Sequence, residues 1–227
     1  MATLPPLNNL LVQIQAALGP ALPPSLTLAS AGSDIFEAYV LSLILDAAET
    51  ESAIIGFANV DGSVPTQFRF RTSPGHIWWD SQPFTYATIQ FPDTPLLEAH
   101  MGVYVSGKSG LIHEADALVL LAEEATLARD NQVPPRSKRS IIATECKFYA
   151  ANLPIGLARA FVGLCSDLST RDCYFVSNAG SGSVEKLLTY HRKHWDSRLE
   201  PGTPIVVARF VAAIQSAFKQ FKARYAV

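Results

Sequence analysis

HEADALVLL, from His113 to Leu121, and IIATECKFY, from Ile141 to Tyr149, decide how this chain is read. Both are short runs rich in aliphatic and β-branched residues, the pattern of strands. Both also carry acids where a core strand is normally apolar. Strand side chains alternate faces, so Glu114 and Asp116 share one face of the first run, and Glu145 and Lys147 one face of the second. Neighbouring strands would bring three or four charges to one spot. Uncompensated buried charge is strongly unfavourable, so such a cluster persists when a metal or a substrate balances it. The plainer alternative is an acid–lysine ion pair buried in an inert sheet.

Outward from these strands, SDIFEAYVLSLILDAAE reads as an amphipathic helix with Ile35, Phe36, Tyr39, Val40, Leu43, Ile44 and Ala47 along one stripe. Asn152 to Leu168 reads as a helix whose apolar face carries Leu153, Leu157, Phe161, Leu164 and Leu168, and Asp172 to Ser177 reads as the strand after it.

An acid on one strand, then Glu145-Cys146-Lys147 on another 29 residues later, then a helix, resembles the PD-(D/E)xK nucleases, the restriction-endonuclease-like superfamily. The resemblance covers roughly Ser33 to Ser177 and departs at Ala115, where the family motif has proline. It implies an α/β fold with a mixed sheet core in the order α-β-β-β-α-β. The expected domain spans 33–227 with N- and C-terminal helical additions, and 1–32 forms an arm or helix.

The chemistry explains why these residue types belong together. Phosphodiester hydrolysis by this route uses a divalent cation to neutralise charge on the phosphoryl oxygens and to acidify a water. Asp116 and Glu145 supply hard oxygen ligands for Mg²⁺ or Mn²⁺, and the Cys146 backbone carbonyl adds a third. Lys147 is placed to orient the attacking water or stabilise the phosphorane. The resemblance implies a further metal-site glutamate on the first core helix, and Glu37 matches it. An equally open reading makes Asp34 and Glu37 a capping box. Glu114 either supports the metal ligands from behind or is a rim acid, and the rim reading is preferred.

Gly102-Val-Tyr-Val-Ser-Gly107-Lys108-Ser109 also fits the phosphate-loop pattern GxxxxGK[ST]. Bulky Val103, Tyr104 and Val105 suit a strand, however, and the residues after Gly110 form a second strand rather than a helix. Ser106 to Gly110 is therefore expected to be a hairpin turn.

At 227 residues with 48% hydrophobic content the chain can bury a full core. No apolar run reaches membrane-spanning length, and the N-terminus lacks a basic region before its apolar stretch, so a cytoplasmic location without membrane attachment is expected. Cys146, Cys165 and Cys173 lack ligand spacing and read as reduced thiols. The net charge of −2 hides an asymmetry: residues 1–100 hold two basic and nine acidic residues, residues 101–227 sixteen and eleven. Positive surface therefore accompanies the candidate site. Arg136, Lys138 and Arg139 between the motif strands, and Arg159 on the helix after them, are the candidate phosphate contacts. Arg192 to His194 and Lys219 to Arg224 form lesser basic groups.

Elsewhere, Leu7 to Leu18 reads as a short helix, AIIGFANV, QFRFR and FTYATIQF as strands, Tyr190 to Trp195 as helical, and Val207 to Phe221 as a last amphipathic helix. Trp78 and Trp79 are either a core plug or a stacking or dimer patch. The expected activity is Mg²⁺-dependent DNA endonuclease cleavage of the prokaryotic defence or restriction type, by a homodimer, with or without a defence partner protein. The alternatives are a nuclease-like module that binds nucleic acid or protein without cutting, and a P-loop NTPase.

Overall fold

The computed structural model describes residues 6–225, so the first five residues of the expected N-terminal arm lie outside it. Seven strands form one open mixed sheet whose spatial order follows the chain. They are β1 (Ile54–Asn59), β2 (Thr85–Gln90), β3 (Leu97–Ser106), β4 (Ile112–Leu121), β5 (Ser140–Lys147), β6 (Asp172–Ser177) and β7 (His194–Ser197). Neighbours are antiparallel from β1 to β5 and parallel from β5 to β7. The parallel pairs need crossovers, which α4 (Ile155–Asp167) and α5 (Gly182–Tyr190) provide. The remaining helices are α1 (Leu7–Leu18), α2 (Gly32–Thr50), α3 (Ala122–Asn131) and α6 (Pro204–Lys222). None of the described helices is long and apolar enough to cross a membrane.

The sheet has helices on both faces. On one, α1, α2 and α6 enclose Leu97, Ala99, Met101, Ala117, Val119, Ile142 and Val176. On the other, α3, α4 and α5 cover Leu118, Leu120, Ala143 and Phe175. The stripe read on α2 is too narrow, because Ala38, Leu41, Ser42, Leu45 and Ala48 are buried as well. A helix apolar on every side belongs inside the molecule, and α2 packs between α1, α6 and the sheet. The stripe of α6, centred on Phe210, Ile214, Phe218 and Phe221, closes on this same core.

The feature that organises the sheet is a break in alternation at Gly102. Ala99 and Met101 join the core beneath α2, but Val103 and Val105 join the opposite core, and Ala117 and Ala115 divide in the same way across β4. Regular alternation would keep each set on one face. Gly102 adopts φ 59° and is the one position between Leu97 and Ser106 without a ladder partner; the register places it opposite Asp116. Its carbonyl turns outward to accept the Gly75 N–H at 3.0 Å, and the Tyr104 N–H returns to the Gly75 carbonyl at 3.0 Å. The β3–β4 hairpin therefore bends at Gly102 and Asp116. Its tip is tied to the end of α4: Asp167 accepts the Ser109 N–H at 2.8 Å and hydroxyl at 2.6 Å and pairs with His113 at 2.6 Å.

This hairpin is the segment that fits the phosphate-loop pattern. Gly107 and Gly110 close its turn and Lys108 is exposed, so no helix N-terminus stands behind the lysine. Three readings need correction. QFRFR forms no ladder: Phe68 bonds to the Pro23–Ser25 stretch, where Pro24 has no N–H to donate. Tyr190 to Trp195 is not helical, since α5 stops as Arg192 enters φ 52° and β7 begins at His194. The stretch after Leu121, with Glu123 and Glu124 in its first turn, opens helix α3, an element absent from the sequence expectations.

Gly102→Ala should test the bend. An L side chain at this φ is strained, and its Cβ would lie 3.3 Å from the Arg71 Cβ. Chemical denaturation should show a loss of about 1–3 kcal/mol; a loss below about 0.5 kcal/mol would mean that the bend needs no glycine.

Candidate active site

Beyond Ala117 and Thr144 the β4–β5 ladder opens, and side chains take over the bonding. The Ala117 N–H donates to Thr144 Oγ1 at 3.1 Å, and the Cys146 N–H donates to Asp116 Oδ2 at 2.6 Å. Asp116 is thus fixed in the opening by the backbone of the Glu145-Cys146-Lys147 triplet itself. Lys147 Nζ lies 2.7 Å from Glu145 Oε1 and 3.8 Å from Asp116 Oδ2. The three residues singled out from the sequence therefore meet, with Glu114 beside them and Glu37 reaching in from α2.

The electrostatics are those of an acid-rich, partly desolvated cluster. Asp116 is 6% exposed, and burial, then the Glu145 charge, push its carboxyl up to about 7 against the pull of Lys147 and the Cys146 N–H. Burial, then Asp116, Asp34 and Glu114, push Glu37 up to about 9. Burial and Glu145 raise Glu114 as well. For Lys147, burial acts downward, but Asp116 and Glu145 together carry it above the ordinary lysine range. A single ammonium therefore faces four carboxyl groups. The capping-box reading of Glu37 falls away, because α2 starts at Gly32 and its cap residue, Ala31, makes no side-chain bond.

Whether the donor set suits a hard cation depends on its chemistry. The groups are carboxylates that repel one another in a desolvated setting, which is what Mg²⁺ or Mn²⁺ relieves. Among the described residues no three acids are already drawn into a metal cage. The Lys147 ammonium occupies the space between Asp116 and Glu145 instead.

The basic candidates are placed less tightly. Arg136, Lys138 and Arg139 lie around a 3-10 turn (Ser137–Arg139) at the start of β5, the end opposite Glu145 and Lys147. The Arg136 guanidinium is engaged by buried Glu124, with Nε to Oε1 at 2.8 Å. Lys138, Arg139 and Arg159 are exposed. Lys219 and Lys222 instead pair with Glu51 at 3.3 and 2.9 Å, joining α6 to the end of α2.

A second charged cluster was missed from the sequence. Glu98 and His100, both 3% exposed, are bonded to each other at 2.8 Å, and Arg129 grips Glu98 through two bonds of 2.8 and 2.7 Å. Two ionisable residues two apart in the apolar run LEAHM were the available signal. A cavity of about 990 Å³ beside β6 and β7 contains none of the acid-cluster residues. Of its arginines, Arg209 pairs with Asp196 at 2.7 Å and Arg198 acts on the Glu200 carboxyl. Uncompensated charge therefore marks the acid cluster as the candidate site. No protein-family model, curated protein or solved structure matches this chain.

These shifts make stability depend on pH. In the folded chain Glu37 and Asp116 keep protons that the unfolded chain releases near 4.5 and 3.8. That contribution is complete at low pH and is lost as pH rises through about 7 and about 9. The metal-free Tm should fall as pH rises from about 5 to about 9, and Glu37→Gln should flatten the fall. His76 and His100, held low by burial, act in the opposite direction below about 6.5, so the variant carries the test: an unchanged slope in Glu37→Gln would contradict the electrostatic assignment.

Proposed function

We propose that this protein is a metal-dependent nuclease that hydrolyses DNA phosphodiester bonds, on a fold related to the restriction-endonuclease-like proteins. The observation that carries the reading is the meeting of Asp116, Glu145 and Lys147 where the β4–β5 ladder opens. Helix α2 ahead of antiparallel strands, and α4 leading from β5 to parallel β6, support the same reading, while five strands and the inserted helix α3 replace the three strands expected between α2 and α4. In it, Asp116, Glu145 and the Cys146 carbonyl hold Mg²⁺ or Mn²⁺, with Glu37 as an additional acid. When bound, the cation supplies charge neutralisation at the phosphate and an acidified water.

The residues of the chain carry the remaining work. Asp116 is held by the Cys146 N–H, so one oxygen is fixed and the other is free to face a ligand. Lys147 is a protonated donor that leaves its carboxylate partners to orient a water or to bond a phosphate oxygen as negative charge grows. Without the cation Glu37 keeps its proton near neutral pH, and a bound cation would favour release of that proton. Lys138, Arg139 and Arg159 are exposed cations available to the flanking backbone. Cutting both strands of a duplex calls for two such sites, hence a homodimer. A prokaryotic defence or restriction role, with or without a partner protein, is the setting this reading implies.

Plasmid DNA incubated with and without Mg²⁺ or Mn²⁺ tests this reading. The wild type should nick or linearise the plasmid only with metal, and Asp116→Asn and Glu145→Gln should be inactive while remaining folded. Asp116→Asn retains an oxygen for the Cys146 N–H and separates chemistry from stability. Lys147→Ala should lower the rate by about two orders of magnitude. Metal-independent cleavage, or activity retained in Asp116→Asn, would refute the assignment.

A further inference from the structure

Past the bend, the free side of β3 is covered by the segment running from Arg71 to Trp79, which bonds through Gly75 to Gly102 and Tyr104. Tyr104 is the cross-strand partner of Glu114, and directly opposed residues of an antiparallel pair project to the same face. The rings of His76 and Tyr104 are 5.0 Å apart, and those of His76 and Trp79 5.0 Å. A row therefore leads from the acid cluster through Glu114 and Tyr104 to His76 and Trp79. Trp78 takes the structural half of the tryptophan pair: it stacks on His76 at 4.0 Å and packs against the core. Trp79 is 47% exposed.

Beneath this row lies a cation without an acid. Arg71 is 4% exposed, lies 4.1 Å over the Phe84 ring and donates to the His76 carbonyl at 3.0 Å. Among the described residues no carboxylate pairs with it. Burial, then the Arg71 charge, hold His76 below the usual histidine range, so its ring is neutral at physiological pH. A desolvated guanidinium beneath exposed Trp79 and half-buried Tyr104 suits an anion attached to a flat group.

We infer that Trp79 and Tyr104 form a stacking platform for an unpaired nucleobase, with the buried Arg71 charge favouring its phosphate, so that the site receives single-stranded or locally opened nucleic acid. The inference rests on the nuclease reading and adds the substrate class. Bases paired within a duplex are stacked on one another and present no free face to an indole, whereas a single strand does.

The test is fluorescence anisotropy of the full chain in EDTA, with labelled oligo-dT and, separately, a blunt duplex of equal length. Trp79→Ala should weaken oligo-dT binding about tenfold or more, Trp79→Phe should restore it, and duplex binding should change less than about twofold. Tyr104→Ala should act in the same direction. Arg71→Lys adds a phosphate test if it folds; exposed Trp79 keeps the proposal testable if it does not. No oligo-dT binding by the wild type, or equal effects of Trp79→Ala on both probes, would overturn the platform. Metal-dependent plasmid cleavage with no role for Trp79 would sink the platform and spare the nuclease reading; Trp79-dependent strand binding without cleavage would do the reverse.

Discussion

The bend at Gly102 and Asp116 is the constraint on which the rest of the structure depends. Without it, β3 and β4 would continue as a flat ladder, and the Asp116 side chain would lie on an apolar face. With it, the hairpin curls toward α4, where Asp167 holds the tip through Ser109 and His113. The ladder to β5 opens at the same level, and a carboxylate oxygen takes the place of a backbone acceptor. The geometry costs a left-handed backbone at Gly102, which glycine supplies with little strain. Its effect is to hold a buried acid rigidly beside Glu145 and Lys147.

The two charged clusters of the sheet differ in how their charges are balanced. Around Glu98, burial acts to raise the carboxyl, but Arg129 and His100 outweigh it and hold the group below the ordinary glutamate range. Donors and acceptors balance, and the cluster serves to dock α3. Around Asp116 the balance runs the other way: Glu37, Glu114 and Asp116 are all raised, with Lys147 as their cationic neighbour among the described residues. A buried group that lacks a partner is destabilising unless something else satisfies it. That imbalance persists in a site built for a cation and a phosphate more readily than in an inert ion pair.

Much of this was legible in the sequence because it depended on local pattern. Acids at odds with apolar strands exposed Asp116, Glu145 and Lys147, and α1 and β6 fall on the segments read for them. What escaped was set by tertiary context. The run YHRKHW contains no glycine or proline, so the left-handed Arg192 that ends α5 left no signal. QFRFR alternates like a strand, yet its neighbour is a proline-containing stretch that cannot complete a ladder. Asp34 and Glu37 have capping-box spacing, but the helix starts ahead of them, which turns Glu37 from a cap into an acid facing Asp116. The asymmetry of Trp78 and Trp79 was equally hidden, since exposure at a turn depends on what packs beneath it.

The central claim is that the Asp116–Glu145 opening is a cation site that Lys147 fills when no metal is bound. Anomalous diffraction from crystals soaked in Mn²⁺ tests it most directly. The account predicts a peak within about 2.5 Å of a carboxylate oxygen from each of Asp116 and Glu145, with the Lys147 ammonium displaced from between them. No peak there at saturating Mn²⁺, with the Lys147–Glu145 contact of 2.7 Å intact, would contradict it.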